Sequence, residues 1–191
     1  MPIEKNLAEG LEESVRTKRK FWEDSGTKLL EVGSLMQKTL REGNKILSFG
    51  NGGSATDATH FSLELVNRFM KERASLPCLS LSADGALLTC IGNDYSFDQI
   101  FERQIAGLGN TGDIALGIST SGNSRNVVLG LQEARRKGLV TVALLGGTGG
   151  KILEQKLADH VLLVDGSRAT PRIQETHVWI LHGLCQIIDE A

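Results

Sequence analysis

The sequence predicts a doubly wound α/β fold: a five-stranded parallel sheet covered by helices on both faces, preceded by a long N-terminal helical arm. Three observations predict it. Short, almost continuously apolar runs recur from residue 45 onward, as strands buried on both faces require. Stretches with helical spacing alternate with those runs. Ahead of them, residues 3 to 43 carry helical periodicity and no strand-like run.

In the arm, Leu7, Leu11, Val15, Phe21, Leu29, Leu30, Val32, Met36 and Leu40 recur at broadly helical spacing, with charged residues between them. One or two long helices are expected, with a break near Asp24-Ser25-Gly26. The periodicity does not choose between an arm that packs on a partner subunit and one that covers its own sheet. Next, "KILSFG" reads as a strand and 54–72 as a helix. "LPCLSLS" is a strand, followed by helices near 86–92 and 97–107. "DIALGIS" precedes a helix over 124–137 that stops at Gly138. "LVTVALLGG" precedes one over 149–158. "HVLLVD" is the fifth strand, and 171–190 the last helix, with Pro171 in its first turn. The chain reads as one domain over 1–191, with 1–43 as the arm and 44–191 as the α/β core.

Composition narrows the function. At 191 residues, 40% hydrophobic and 23% charged, the chain can build an ordinary core. A formal net charge of −2 gives no basic field to attract nucleic acid. No apolar run approaches the roughly 20 residues of a membrane span. The acidic start "MPIEKNLAEGLEES" lacks the apolar core of a signal peptide. Cys78, Cys90 and Cys185 are odd in number and without C-x-x-C spacing, as expected of reduced thiols in a cytoplasmic protein.

Ligands of such sheets sit at the carboxyl ends of the strands, which selects the loops 50–54, 93–96 and 119–124. The first, Gly50-Asn51-Gly52-Gly53-Ser54, also fits the dinucleotide pattern G-x-G-x-x-A. That pattern wants an acid about 20 residues on, and Asp84 comes about 30 residues later, a poor fit. The helix after the turn instead carries His60, Glu64 and Arg68 at successive i, i+4 steps. A histidine and a carboxylate one turn apart can share a metal or act as a polar pair beside a substrate.

The loop "ISTSGNS" places the hydroxyls of Ser119, Thr120, Ser121 and Ser124 around Gly122, just before a helix. Hydroxyls, backbone N–H groups and the helix dipole together suit a phosphate, with no Lys or Arg in the loop. An ordinary N-cap turn would need only one of them. The last helix offers Gln174, Glu175, His177 and His182. Gln174 and His182 differ by about 80° around the helix and about 12 Å along it. His177 lies about 60° to the other side, so helix geometry does not choose between the histidines. His160 opens a strand and reads as structural.

Taken together, "FGNGGSATDATHFSLEL", "IGNDYSF", "GISTSGNSRNV" and "RIQETHVWILHGL" resemble the phosphoheptose isomerases, a branch of the sugar isomerase (SIS) domain superfamily. The resemblance runs from about residue 30 to the C-terminus. It implies interconversion of sedoheptulose 7-phosphate and glycero-manno-heptose 7-phosphate for bacterial surface glycans, such as lipopolysaccharide. It also implies a homotetramer with active sites at subunit interfaces, and one zinc per subunit. By the same resemblance Glu64 is the catalytic base and His182 the catalytic acid, and His60, Glu64, Gln174 and His182 are metal ligands. Asn51, Gly52, Gly53, Asn93, Asp94, Ser119, Thr120, Ser121, Ser124 and Gln174 are substrate contacts with Glu64, and Arg68 lies near the site. Some members carry Asp where this chain has Pro171. His177 belongs to the motif but not to the functional set.

The chemistry is proton transfer between C1 and C2 of an open-chain sugar through an enediol, which asks for one base and one acid. Some burial of Glu64 would strengthen it as a base. Glu64 cannot be a tight metal ligand and a free base at once. Two other readings follow from the same scaffold: a non-enzymatic SIS protein that binds the replication initiator DnaA, and another phosphosugar ketose–aldose isomerase or sensor. The initiator-binding proteins typically lack the carboxylate and histidine that stand here as Glu64 and His182.

Overall fold

The strands lie in the order β2-β1-β3-β4-β5 in one fully parallel sheet. They span Ile46–Gly50 (β1), Cys78–Ser80 (β2), Ile114–Ser119 (β3), Val140–Gly146 (β4) and His160–Val164 (β5). The computed structural model describes residues 3–190. Chain direction across the sheet reverses between β1 and β3, whose register pairs Ile46 with Ile114 and Gly50 with Ile118. A crevice therefore opens beyond Gly50 and Ser119, the place where such sheets take their ligands.

Seven helices surround the sheet among the described residues: α1 (Ile3–Arg41), α2 (Gly53–Val66), α3 (Gly85–Asp94), α4 (Ile100–Leu108), α5 (Arg125–Arg136), α6 (Gly150–Glu154) and α7 (Thr170–Asp189). Alternate strand residues feed two cores. Ile46, Leu116, Val142 and Leu162 meet α1, α2 and α7 through Met36, Phe61 and Leu184. Leu47, Phe49, Ala115 and Ala143 face the other way, toward Phe101, Ile105, Val127 and Leu131 of α4 and α5. No helix among the described residues is long and apolar enough to cross a membrane.

Four local expectations are corrected. The first helix does not break at Asp24-Ser25-Gly26; α1 is continuous over 39 residues. Gly26 is kept because a Cβ there would lie 3.0 Å from the Trp22 indole, so packing outweighs its poor helix propensity. The helix predicted over 54–72 stops at Val66, which takes Arg68 off the face shared by His60 and Glu64. Asn93 and Asp94 close α3 rather than forming a loop. The helix expected over 149–158 is the five-residue α6.

The inner face of α1 covers its own core. Phe21, Leu29, Val32 and Met36 are buried there, and Gly33 is so close to α7 that a Cβ would lie 2.7 Å from Ile187. Its outer face leaves Ile3, Leu7, Leu11, Val15, Trp22 and Leu30 exposed.

Candidate active site

α2 and α7 run side by side in the same direction, and three contacts at matched heights fix their register. At the N-terminal end, the Gln174 amide rests against Gly53, where a Cβ would collide with it. Two turns on, His60 Nε2 and His182 Nε2 stand 2.8 Å apart. At the C-terminal end, Arg73 donates to the carbonyls of Glu64 (2.8 Å) and Leu65 (2.7 Å) while pairing with Asp189 of α7 at 2.7 Å. Arg73 thus satisfies carbonyls that every helix end leaves open. It is the residue that ends α2, and sequence reading missed it because its partners are distant along the chain.

The Glu64 carboxylate lies 3.6 Å from His60 Nε2, with its side chain 17% exposed. His182 is further enclosed by Phe69, whose ring stacks on it with centroids 5.3 Å apart. Burial first, then neighbouring His60, hold the His182 imidazole below its ordinary value, with Glu64 opposing. His177 turns the other way, into the core, with Nε2 3.1 Å from the Leu145 carbonyl oxygen. Burial pushes its pKa down to about 4. The structure therefore separates the two histidines: His182 faces α2, and His177 is a neutral core residue.

His60, Glu64 and His182 offer the donors zinc takes, two imidazole nitrogens and a carboxylate. Two ligands of one tetrahedral zinc stand about 3.3 Å apart, whereas the ring nitrogens here are at hydrogen-bond distance. No three His, Cys, Asp or Glu side chains form a ready metal cage among the described residues. The donor chemistry fits zinc, provided the hydrogen-bonded rings part. Gln174, which makes no hydrogen bond to these three, lies at Gly53 instead.

One turn before His60, Asp57 is buried with an unpartnered Oδ2. Burial raises its pKa to about 6, against the pull of His60.

The second half of the site lies across the crevice. Gly52, with φ 55°, turns the chain after Asn51 so that the N–H groups of Ser54 and Ala55 bond back to Asn51 and Gly52. Beyond β3, Ser119 Oγ accepts from the Gly122 N–H at 3.1 Å and lies 3.3 Å from Ser124 Oγ. Ser121 Oγ accepts from the Asn123 N–H at 3.2 Å. Ser124 is the N-cap of α5 yet makes no capping bond with its side chain, so its hydroxyl is available to a ligand. Thr120 completes the ring of hydroxyls, half-buried.

This cradle is clasped from behind by a second glycine loop, residues 146–150. Gly122 has φ 65°, and a Cβ on it would collide with the Gly149 carbonyl. Ile152 N–H donates to the Gly122 carbonyl, and Lys151 N–H to Asn123 Oδ1, both at 3.1 Å. The signal was present in the run "GGTGG" at a strand's carboxyl end, which marks close backbone approach. Asn93 and Asp94 stand apart from this arrangement. Their side chains bond each other at 2.9 Å, and none of their bonds reaches the glycine turn or the hydroxyl loop. Arg68 is exposed, 3.6 Å from Glu72.

Comparison with known proteins agrees with this fold. A family model described as SIS domain matches residues 11–146. A phosphoheptose isomerase of Thermodesulfovibrio yellowstonii is 45% identical over 190 residues, covering 100% of this chain and 93% of the relative. The solved structure of a phosphoheptose isomerase from Francisella tularensis superposes with a TM-score of 0.95 at 37% identity, covering 100% of both chains. Another, from Neisseria gonorrhoeae, superposes with a TM-score of 0.91 at 37% identity over 99% of this chain and 100% of its own.

Proposed function

Because the chain belongs to the SIS domain family, as a phosphoheptose isomerase that serves heptose biosynthesis, we propose that Glu64 and His182 perform its proton transfer and that Ser119, Thr120, Ser121 and Ser124 hold the phosphate. The observation that carries this reading is the register of α2 and α7. It brings a half-buried carboxylate and two imidazoles together between two neighbouring helices, one of which, α2, starts at the glycine turn.

With the phosphate seated at the N-terminus of α5, the open-chain sugar extends toward α2 and α7. Glu64 takes the proton from the carbon beside the carbonyl, and His182 gives a proton to the carbonyl oxygen, leaving an enediol. Returning the proton to the neighbouring carbon, with His182 reprotonated from the other hydroxyl, completes the exchange without net change in protons or electrons. Burial and the neighbouring His60 lower the pKa of His182, which makes its protonated ring the stronger acid toward that oxygen. Asn51 and the backbone of Gly52 and Gly53 orient the sugar, with Gln174 behind them. Zinc, when bound, would be held by His60, Glu64 and His182, with Gln174 drawn in, and would polarise the sugar oxygens as a Lewis acid.

A homotetramer completes the site in this reading. An apolar groove lined by Trp22, Leu30, Phe69, Met70 and Trp179 runs directly to His182. Trp22 is 51% and Met70 70% exposed, so a second copy seated there would both bury the groove and wall the site. Asn93, Asp94 and Arg68, exposed in one protomer, are the residues such an assembly would bring to a site.

Incubating the pure protein with sedoheptulose 7-phosphate, and in parallel with shorter ketose phosphates, tests the activity and its substrate length. Conversion of the heptulose to the aldose is the expected result. Conversion of a shorter sugar alone would reassign the substrate.

A further inference from the structure

Asn51 opens the glycine turn after β1, and Asn126 sits in the first turn of α5, just past the hydroxyl cradle. Their side chains close on each other as a reciprocal amide pair. Asn51 Nδ2 donates to Asn126 Oδ1 at 2.7 Å, and Asn126 Nδ2 donates to Asn51 Oδ1 at 2.9 Å. Among the described residues no other side-chain hydrogen bond joins the two loops. We propose that Asn126 is a positioning residue for the isomerase, holding the Asn51 amide in the orientation that receives the sugar phosphate. This rests on the reading that the two loops form the substrate site.

Each amide carries two N–H donors and a carbonyl with two lone pairs. The pair consumes one donor and one lone pair from each partner. Asn126 is 2% exposed, so its amide belongs to the interior. Asn51 is half-buried and keeps one N–H and one lone pair uncommitted. Turning one amide over alone would set carbonyl against carbonyl and NH₂ against NH₂, so the orientation of each is locked to that of the other. Asn51 follows directly on a strand end and precedes a glycine, where nothing else fixes its side chain. Asn126 supplies that constraint, and it does so from the helix whose N-terminus the phosphate approaches. The spacing of the sugar end and the phosphate end of the substrate is thereby tied to one side-chain contact.

The test compares wild type, Asn51→Ala, Asn126→Ala and the double variant, in turnover of sedoheptulose 7-phosphate and in its binding by calorimetry. Asn126→Ala is expected to weaken binding and raise KM about tenfold, with kcat within about twofold. The double variant should match Asn51→Ala alone, because Asn126 acts through Asn51. Asn126→Asp keeps the size of the side chain but faces Asn51 with acceptors only. It should show the same loss, with its fold checked by circular dichroism should the alanine variant not fold. A merely structural role would lower the active fraction, reducing kcat and binding stoichiometry while leaving KM and Kd unchanged. That result overturns the proposal, as would losses that multiply in the double variant. Wild type that binds the sugar phosphate without converting it would defeat the catalytic reading and leave the positioning result standing. Wild type that does not bind it defeats both.

Discussion

His60 and His182, 122 positions apart in the chain, meet nitrogen to nitrogen at 2.8 Å because α2 and α7 lie parallel with their N-termini level. One ring must donate and the other accept, so at most one of the two can be protonated at that contact without breaking it. The Glu64 carboxylate lies 3.6 Å from the same His60 nitrogen. Replacing Glu64 by Gln, or His182 by Ala, removes one half of the proton relay. Each change is expected to lower kcat by about 10² to 10⁴ with the fold retained. Steady-state turnover and circular dichroism check this, and a variant keeping more than about a tenth of wild-type rate loses its assigned role.

Ser121 is the exposed member of the hydroxyl cradle. Ser121→Asp sets a fixed negative charge where the phosphate dianion is expected, and KM should rise about tenfold or more. An unchanged KM would move the phosphate elsewhere.

His177 gives a stability prediction with a definite sign. Its pKa is about 4 folded, against 6.5 for the unfolded chain. Between those values the unfolded chain binds more protons, so stability present above pH 6.5 is lost as the pH falls toward 4. The full loss is about 3 kcal/mol. Asp57, pushed up to about 6, slopes the opposite way, so the effect is read as a difference. His177→Asn can still donate to Leu145 but does not titrate. Urea midpoints measured from pH 4 to 7 should fall less steeply on acidification than in wild type.

Arg73 and Asp189 form a pair in which the carboxylate side chain is 2% exposed. Arg73→Ala would leave that charge uncompensated and the Glu64 carbonyl without its donor, while the Leu65 carbonyl keeps the Leu76 N–H. A loss of about 3 kcal/mol is expected in chemical denaturation. A change below about 0.5 kcal/mol would place the clasp among surface pairs of little weight.

Assembly is tested at Trp22, whose indole faces the groove and meets Trp179 edge-on at 6.5 Å. Deleting the first 30 residues would also strip Phe21 and Leu29 from the chain's own core. Trp22→Glu leaves that core intact. Light scattering should show a smaller particle, with turnover falling alongside. A fully active monomer would sink the shared-site model.

The alternation of apolar runs and helical stretches was enough to place every strand and the two-faced sheet. What escaped depended on side-chain contacts that spacing along the chain does not reveal. Asn67, the observed C-cap, is a weaker stop signal than glycine, and the Arg73 contacts that secure this end are made after the chain turns back. Gly26 reads as a break until Trp22 is seen lying over it. Spacing within one helix could not rank His177 against His182, because the phase of α7 is defined only by what it packs on. The hydroxyl cradle was readable since strand, loop and helix are contiguous. Asn126 stood in the same motif, but its meaning comes from an amide 75 positions away.

The pairing of α1 with α7 also bears on how the protein is made. A ribosome delivers α1 before α7, and at about 5 to 20 residues per second the intervening segment takes roughly 6 to 26 seconds to appear. Throughout that interval Phe21, Leu29, Val32 and Met36 wait on an amphipathic rod whose main cover has not been translated. A nascent chain stalled before residue 170 has its cradle sequence complete but lacks His182 and the lid over its first helix. Translation therefore has to pass through α7 before the contact between His60 and His182 can form.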